Sequence, residues 1–145
     1  PTTLQAKKLG FREIIDIATL GLPYFTSGLA VTKTYLSRNE ETVRNFTKAY
    51  VEGISVGKKE KQFSMNVIGK YTKTDDKEAL EDAYEYFIPK LFPRVPTASA
   101  GAVQAILDEV ASDNPKAKEF KPEAFIDNRL VKELEDSGFI RKLYE

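Results

Sequence analysis

Gly28-Leu-Ala-Val-Thr-Lys-Thr-Tyr-Leu36 leads, through Ser37 and Arg38, into Asn39-Glu-Glu-Thr-Val-Arg-Asn-Phe-Thr-Lys-Ala-Tyr-Val-Glu-Gly-Ile54. The first part alternates: Leu29, Val31, Lys33 and Tyr35 fall on one side, Ala30, Thr32, Thr34 and Leu36 on the other. With its β-branched and aromatic content it reads as a β-strand. The second part reads as a long helix from Asn39 to about Gly57. Asn39 stands at the N-cap, and Glu40 and Glu41 lie in the first turn, where they favour the helix dipole. Val43, Phe46, Thr47, Tyr50 and Ile54 recur at helical spacing and predict one buried stripe. A strand needs a partner, because an isolated one leaves its backbone groups unpaired. Nearby, only Phe11 to Ile17 offers one, and it reads equally well as a helical turn.

Around this pair the chain reads as helices. Pro1 to Leu9 is short and lightly anchored, with Gly10 placed for a left-handed cap. Ala18 to Gly28 is a loop punctuated by Gly21, Pro23 and Gly28. Gln62 to Tyr71 carries Phe63, Val67, Ile68 and Tyr71 on one face. The next helix, capped by Asp75 or Asp76, has the clearest period: Leu80, Ala83, Tyr84, Phe87, Ile88 and Leu91. Pro89 should bend or end it. Thr97 or Ser99 opens a helix with Val103, Ile106, Leu107 and Val110 inward. A helix from Asn128 to Asp136, capped by Asp127, stops at Gly138, and Phe139 to Tyr144 forms one last apolar turn. The expected architecture is therefore α/β, one or two strands followed by five or six helices. Residues 1–145 read as a single structural unit, with a loop and strand region over 1–38 and a helical part over 39–145.

Composition narrows the chemistry. The 145 residues contain 22 Lys+Arg and 22 Asp+Glu, so the net charge is zero. A general nucleic-acid binder needs a cationic surplus to release counterions, so no nucleic-acid partner is expected. Cys and His are absent, which removes disulfides, thiolate ligands, a Cys nucleophile and any His-based triad. No glycine-rich phosphate loop occurs. The carboxylates Glu78, Glu81, Asp82 and Glu85 lie opposite an apolar stripe and read as a solvated helix face. The expectation is a non-enzyme with no catalytic residue, no metal and no cofactor. The one ligand candidate is the loop around Tyr24, Thr26 and Ser27, whose hydroxyls and aromatic ring beside Gly28 suit a small polar ligand.

The strand Leu29 to Leu36, the cap Arg38-Asn-Glu-Glu-Thr-Val43 and the helix Arg44 to Ile54 resemble the solute-binding proteins of ABC importers. The nitrate/sulfonate/taurine group, which shares its fold with thiamine-pyrimidine-synthase-like proteins, is the most similar. Val67-Ile-Gly-Lys-Tyr71, Asp75 to Leu80, Tyr84-Glu-Tyr-Phe87, Ala100 to Val103, Phe125 to Leu130 and Leu134 to Phe139 continue the resemblance in order. It implies the helix-rich C-terminal part of a two-lobed type II periplasmic-binding-protein fold, with Gly28–Gly57 near the hinge. Family members are about twice as long or more, and the chain begins at Pro1 without Met, so a processed or excised chain is expected. The implied function is the substrate-binding component of an importer for a sulfonate, nitrate or thiamine-precursor-like solute, or a fragment of it. It would work outside the cytoplasm, periplasmic in location, with an ABC permease as partner. Solute binding by the fragment alone should be weak or absent, and its exposed strand allows a homodimer. The alternatives are a fragment of a pyrimidine-synthase-like enzyme of the same fold and a small helical interaction domain.

Overall fold

Thr32 decides the fold at the point where the sequence suggests a strand. Its hydroxyl oxygen accepts a hydrogen bond from the Tyr35 amide at 3.1 Å and caps a helix, α2, over Lys33–Arg38. The computed structural model describes residues 2–23, 25 and 27–145, and no strand occurs among them. The α/β expectation, with its type II periplasmic-binding-protein sheet, is overturned: the described residues are all-helical. Residues 27–32 take no regular secondary structure and are exposed, without strand pairing. Arg12–Asp16 is irregular and leads into a 3-10 turn over Ile17–Leu20, capped by Asp16. β-propensity measures packing against neighbouring strands, and with none present a local cap outweighs it.

Among the described residues the α-helices number eight, six of them from Glu40 onward, where five or six were expected. They are α1 (Thr2–Lys8), α2, α3 (Glu40–Lys59), α4 (Lys61–Thr72), α5 (Lys77–Leu91), α6 (Ala100–Asp113), α7 (Arg129–Asp136) and α8 (Phe139–Lys142). Two further 3-10 turns, Pro115–Glu119 and Pro122–Phe125, pack against α6. The long helix α3 is the centre, touching α2, α4, α5 and α7. It runs past Gly57, with Lys58 and Lys59 in the last turn. Its buried face is Val43, Thr47, Val51, Ile54 and Ser55, rotated from the expected stripe, so that Phe46 is exposed and Tyr50 half-buried. Asn39 stands at the predicted N-cap, yet its amide donates backwards to the Tyr35 carbonyl at 3.0 Å and closes α2.

Met65, Leu80 and Tyr84 form a core cluster between α4 and α5, with Ile68 and Ile88 packed against it. Burying side chains of this size contributes roughly 1.5–3 kcal/mol each. Pro89 sits inside α5 and the helix ends two residues later, at Leu91. The ammonium of Lys58 donates to the carbonyls of Ile88 at 2.9 Å and Pro89 at 3.2 Å, taking up acceptors that the end of a helix leaves unmet. At the other end of the molecule, the Asn128 side chain forms a two-way pair with the Ala98 backbone, at 2.9 Å in each direction. Ser55 donates to the Leu143 carbonyl at 2.9 Å, and Arg44 pairs with Glu133, so both ends of the C-terminal segment are tied to α3.

Asp76 caps α5, its carboxylate accepting from the amides of Glu78 and Ala79. The Ala79 amide foremost, and then the Lys8 ammonium, hold its pKa below the usual value. Its folded pKa is depressed, so the stabilisation is present above the unfolded value of about 3.9 and is lost as pH falls through the folded one. Asp76→Ala should lower Tm at pH 7 and flatten the acid limb of a Tm–pH profile. An unchanged profile below pH 4 would show that the cap does not set the acid stability.

Candidate functional site

Of the three residues expected to hold a ligand, Tyr24 and Thr26 lie outside the described residues. Ser27 is exposed, in the segment before α2. What surrounds it is aromatic and backbone packing. The half-buried Phe25 ring lies against Gly28 and leaves no room for an added Cβ there. Pro23 rests near Gly101 in the first turn of α6, 3.4 Å from the place a Cβ would take. Pro23 therefore leans on α6, and nothing described beside Ser27 converges on its hydroxyl.

One concavity lies along α3. It has a volume of about 410 Å³ and is almost wholly apolar. Ala49, Gly53 and Gly57, four residues apart, line it together with Phe46, Tyr50, Ile54, Ile88 and Phe92. An added Cβ at Gly53 would meet nothing within 4 Å. The volume is that of a small-molecule pocket, yet no charged group lines it. It can take up an apolar side chain or the edge of a partner. The signal for it was visible in the sequence as small residues every fourth position beside two aromatics. Helical periodicity alone assigned those aromatics to the core.

The carboxylates of α5 work as ties between helices. Lys61 places its ammonium 2.6 Å from Glu81 and 2.8 Å from Glu85, joining α4 to α5. These hydrogen bonds raise its pKa well above the ordinary lysine range. Lys8 reaches Glu78 at 2.7 Å and Asp76 at 3.3 Å, joining α1 to α5. Such exposed pairs contribute little each, and they engage Glu78, Glu81 and Glu85 of the four α5 carboxylates. Among the described residues no cluster of acidic groups could hold a metal ion, and no helix is long and apolar enough to cross a membrane.

Exposed apolar side chains are concentrated in the segment before α2. Phe11, Ile14, Ile15, Ile17, Leu20, Leu22, Leu29 and Val31 are all exposed, Ile14 at 97%. Together with the groove they give this chain a large surface able to bury against something else. No family model matches the chain, and no curated protein or solved structure matches it either.

Proposed function

We propose that this chain serves, without catalysis, in the solute-binding component of an ABC-type importer for a small polar or anionic solute of the sulfonate, nitrate or thiamine-precursor class. The observation that carries the reading is the division of the chain into two parts of opposite character. From Asn39 onward the resembling stretches fall on packed helices joined by side-chain ties. Before Lys33 the described residues form only the short helix α1 and one 3-10 turn, and their large apolar side chains from Leu9 to Val31 are mostly exposed. Exposed apolar side chains of this number suit a segment that buries against another surface. The absence of His and Cys and the engagement of the α5 carboxylates in ion pairs weigh against the enzyme alternative. The work would be extracytoplasmic, beside a permease.

Calorimetric titration tests this on the natural protein that carries the chain. Taurine, nitrate and an aminopyrimidine thiamine precursor are the probes. One of them should bind at a single micromolar site, and loss of the gene should reduce uptake of that solute. No binding by any of the three, with uptake unchanged, would remove the proposal. Residues 1–145 alone should show no micromolar binding, because one wall does not enclose a solute.

A second reading, the helical interaction domain, is favoured by the apolar groove on α3. In that case the exposed segment would join two copies. Light scattering across a concentration series separates the two: a strict monomer removes the self-association reading.

A further inference from the structure

A second depression, of about 370 Å³, lies between the link that follows α5 and the corner of α7 and α8. Val95, Ile140 and the ring of Tyr144 give it an apolar lining, and Arg94 and Glu135 border it. The Arg94 guanidinium lies 4.4 Å from the centre of the Tyr144 ring. One face of its plane is thus held by the ring, and stacking of this kind leaves the N–H edge free to receive an oxygen pair. Among the described residues Arg94 has no carboxylate within ion-pair distance, and neither does Glu135 have a cation. The other arginine here, Arg141, is engaged by Glu145 at 3.5 Å. The Tyr144 hydroxyl is shut off from solvent and has no hydrogen-bond partner among the described residues. Lys58, spent on the α5 carbonyls, is close enough that Arg94 adds to the lowering of its pKa by burial. Of the four charged residues lining the depression, Arg141 and Glu145 thus pair with each other, while Arg94 and Glu135 are left without ion-pair partners among the described residues.

We propose that this depression binds a small zwitterion, its carboxylate on the Arg94 guanidinium and its ammonium group on Glu135, with its carbon chain over Val95, Ile140 and Tyr144. Opposite charges that border one pocket without pairing leave room for a ligand of reversed polarity. A bidentate guanidinium–carboxylate pair gives it direction, and the apolar floor accommodates a chain of a few methylenes. The site is separate from the Tyr24 loop and does not rest on the transport reading.

NMR titration of the ¹⁵N-labelled chain tests this, with γ-aminobutyrate as the zwitterion and acetate and butylamine as half-probes. Saturable shifts confined to the amides of Val95, Ile140 and Tyr144 are expected with γ-aminobutyrate, and at least tenfold weaker binding with either half-probe. Arg94→Ala should weaken γ-aminobutyrate at least tenfold. Glu135→Gln should bring it to the level of acetate while leaving acetate unchanged. Both side chains are exposed enough for the variants to fold, which circular dichroism checks. Unaltered binding in Arg94→Ala overturns the proposal. So does equal binding of all three probes, which is unspecific ion pairing, or the absence of any shift because Arg94 and Glu135 pair with each other in solution.

Discussion

Val51→Asp removes the cooperative unfolding transition of this chain. Val51 lies at 0% exposure in the middle of the buried face of α3, the helix that meets α2, α4, α5 and α7. The substitution loses roughly 1.5–3 kcal/mol of apolar burial. It also places a carboxyl group where the neighbouring face is Thr47, Ile54 and Ser55, with no cation on it. An isolated buried charge costs several kcal/mol more, or shifts its pKa and neutralises. Small domains are stable by about 5–15 kcal/mol in total, so the sum takes most of that margin. Scanning calorimetry at pH 7 should show no sharp endotherm, with partial recovery near pH 5, where the new carboxyl protonates. A Tm within five degrees of the parent would mean that α3 is not the centre of the fold.

Gly69→Ala and Gly53→Ala should move stability in opposite directions. Both glycines lie inside helices, where alanine is intrinsically favoured by about 1 kcal/mol. At Gly69 an added Cβ would stand 2.9 Å from the Thr74 carbonyl oxygen and 3.2 Å from a methyl of Leu80. The carbonyl belongs to backbone, and Leu80 to the core cluster with Met65 and Tyr84, so neither yields easily. Overpacking of this kind costs roughly 1–3 kcal/mol and outweighs the propensity gain. At Gly53 the added methyl meets nothing within 4 Å, and the propensity gain stands alone. Urea denaturation should show a lower midpoint for Gly69→Ala and a higher one for Gly53→Ala, at equal m-values. A stabilised Gly69→Ala would mean that the close approach of α4 to α5 is not as described. The same pair bears on the groove, because Gly53 lines it.

Most of the caps were legible in the residues. Of Asp75 and Asp76, the second caps α5, and of Thr97 and Ser99, the second caps α6. Gly10 and Gly138 take the left-handed conformation at the ends of their helices. These are local effects of one side chain on amides two or three residues away, and sequence contains them in full. Asp127 shows the limit: it precedes α7, but its carboxylate accepts from the Arg129 amide and guanidinium. Asn128, at the cap position itself, spends its side chain on Ala98 thirty residues away.

The apolar stripes were overread in a consistent direction. Phe46, Phe63, Val67, Tyr71, Phe87 and Val110 all belong to helical patterns, and all are exposed. Small residues and one methionine occupy much of the buried surface instead: Ser55, Ser64, Met65, Ala79, Ala83, Ala102 and Ala111. Periodicity locates an apolar face to within a turn of the helix axis, while the neighbouring helix selects which edge of that face is covered. Where helices approach closely, small residues lie between them and the large ones are left at the flanks. The Arg94 pocket draws on residues more than forty positions apart, which no local pattern brings together. The site expected at Tyr24, Thr26 and Ser27 was chosen from residue types alone, and Ser27, the described one of the three, stands exposed.

By itself, then, the sequence determined the helical body from Asn39 onward and most of its starts and stops, because caps and helical spacing act within a few residues. It also excluded His and Cys chemistry outright. The fate of Leu29 to Leu36 was decided only in three dimensions. The same residues satisfy the pattern of a strand and that of a lead into a capped helix. A strand exists only when another backbone lies alongside to exchange hydrogen bonds. With none alongside among the described residues, the Thr32 hydroxyl caps the helix that begins at Lys33.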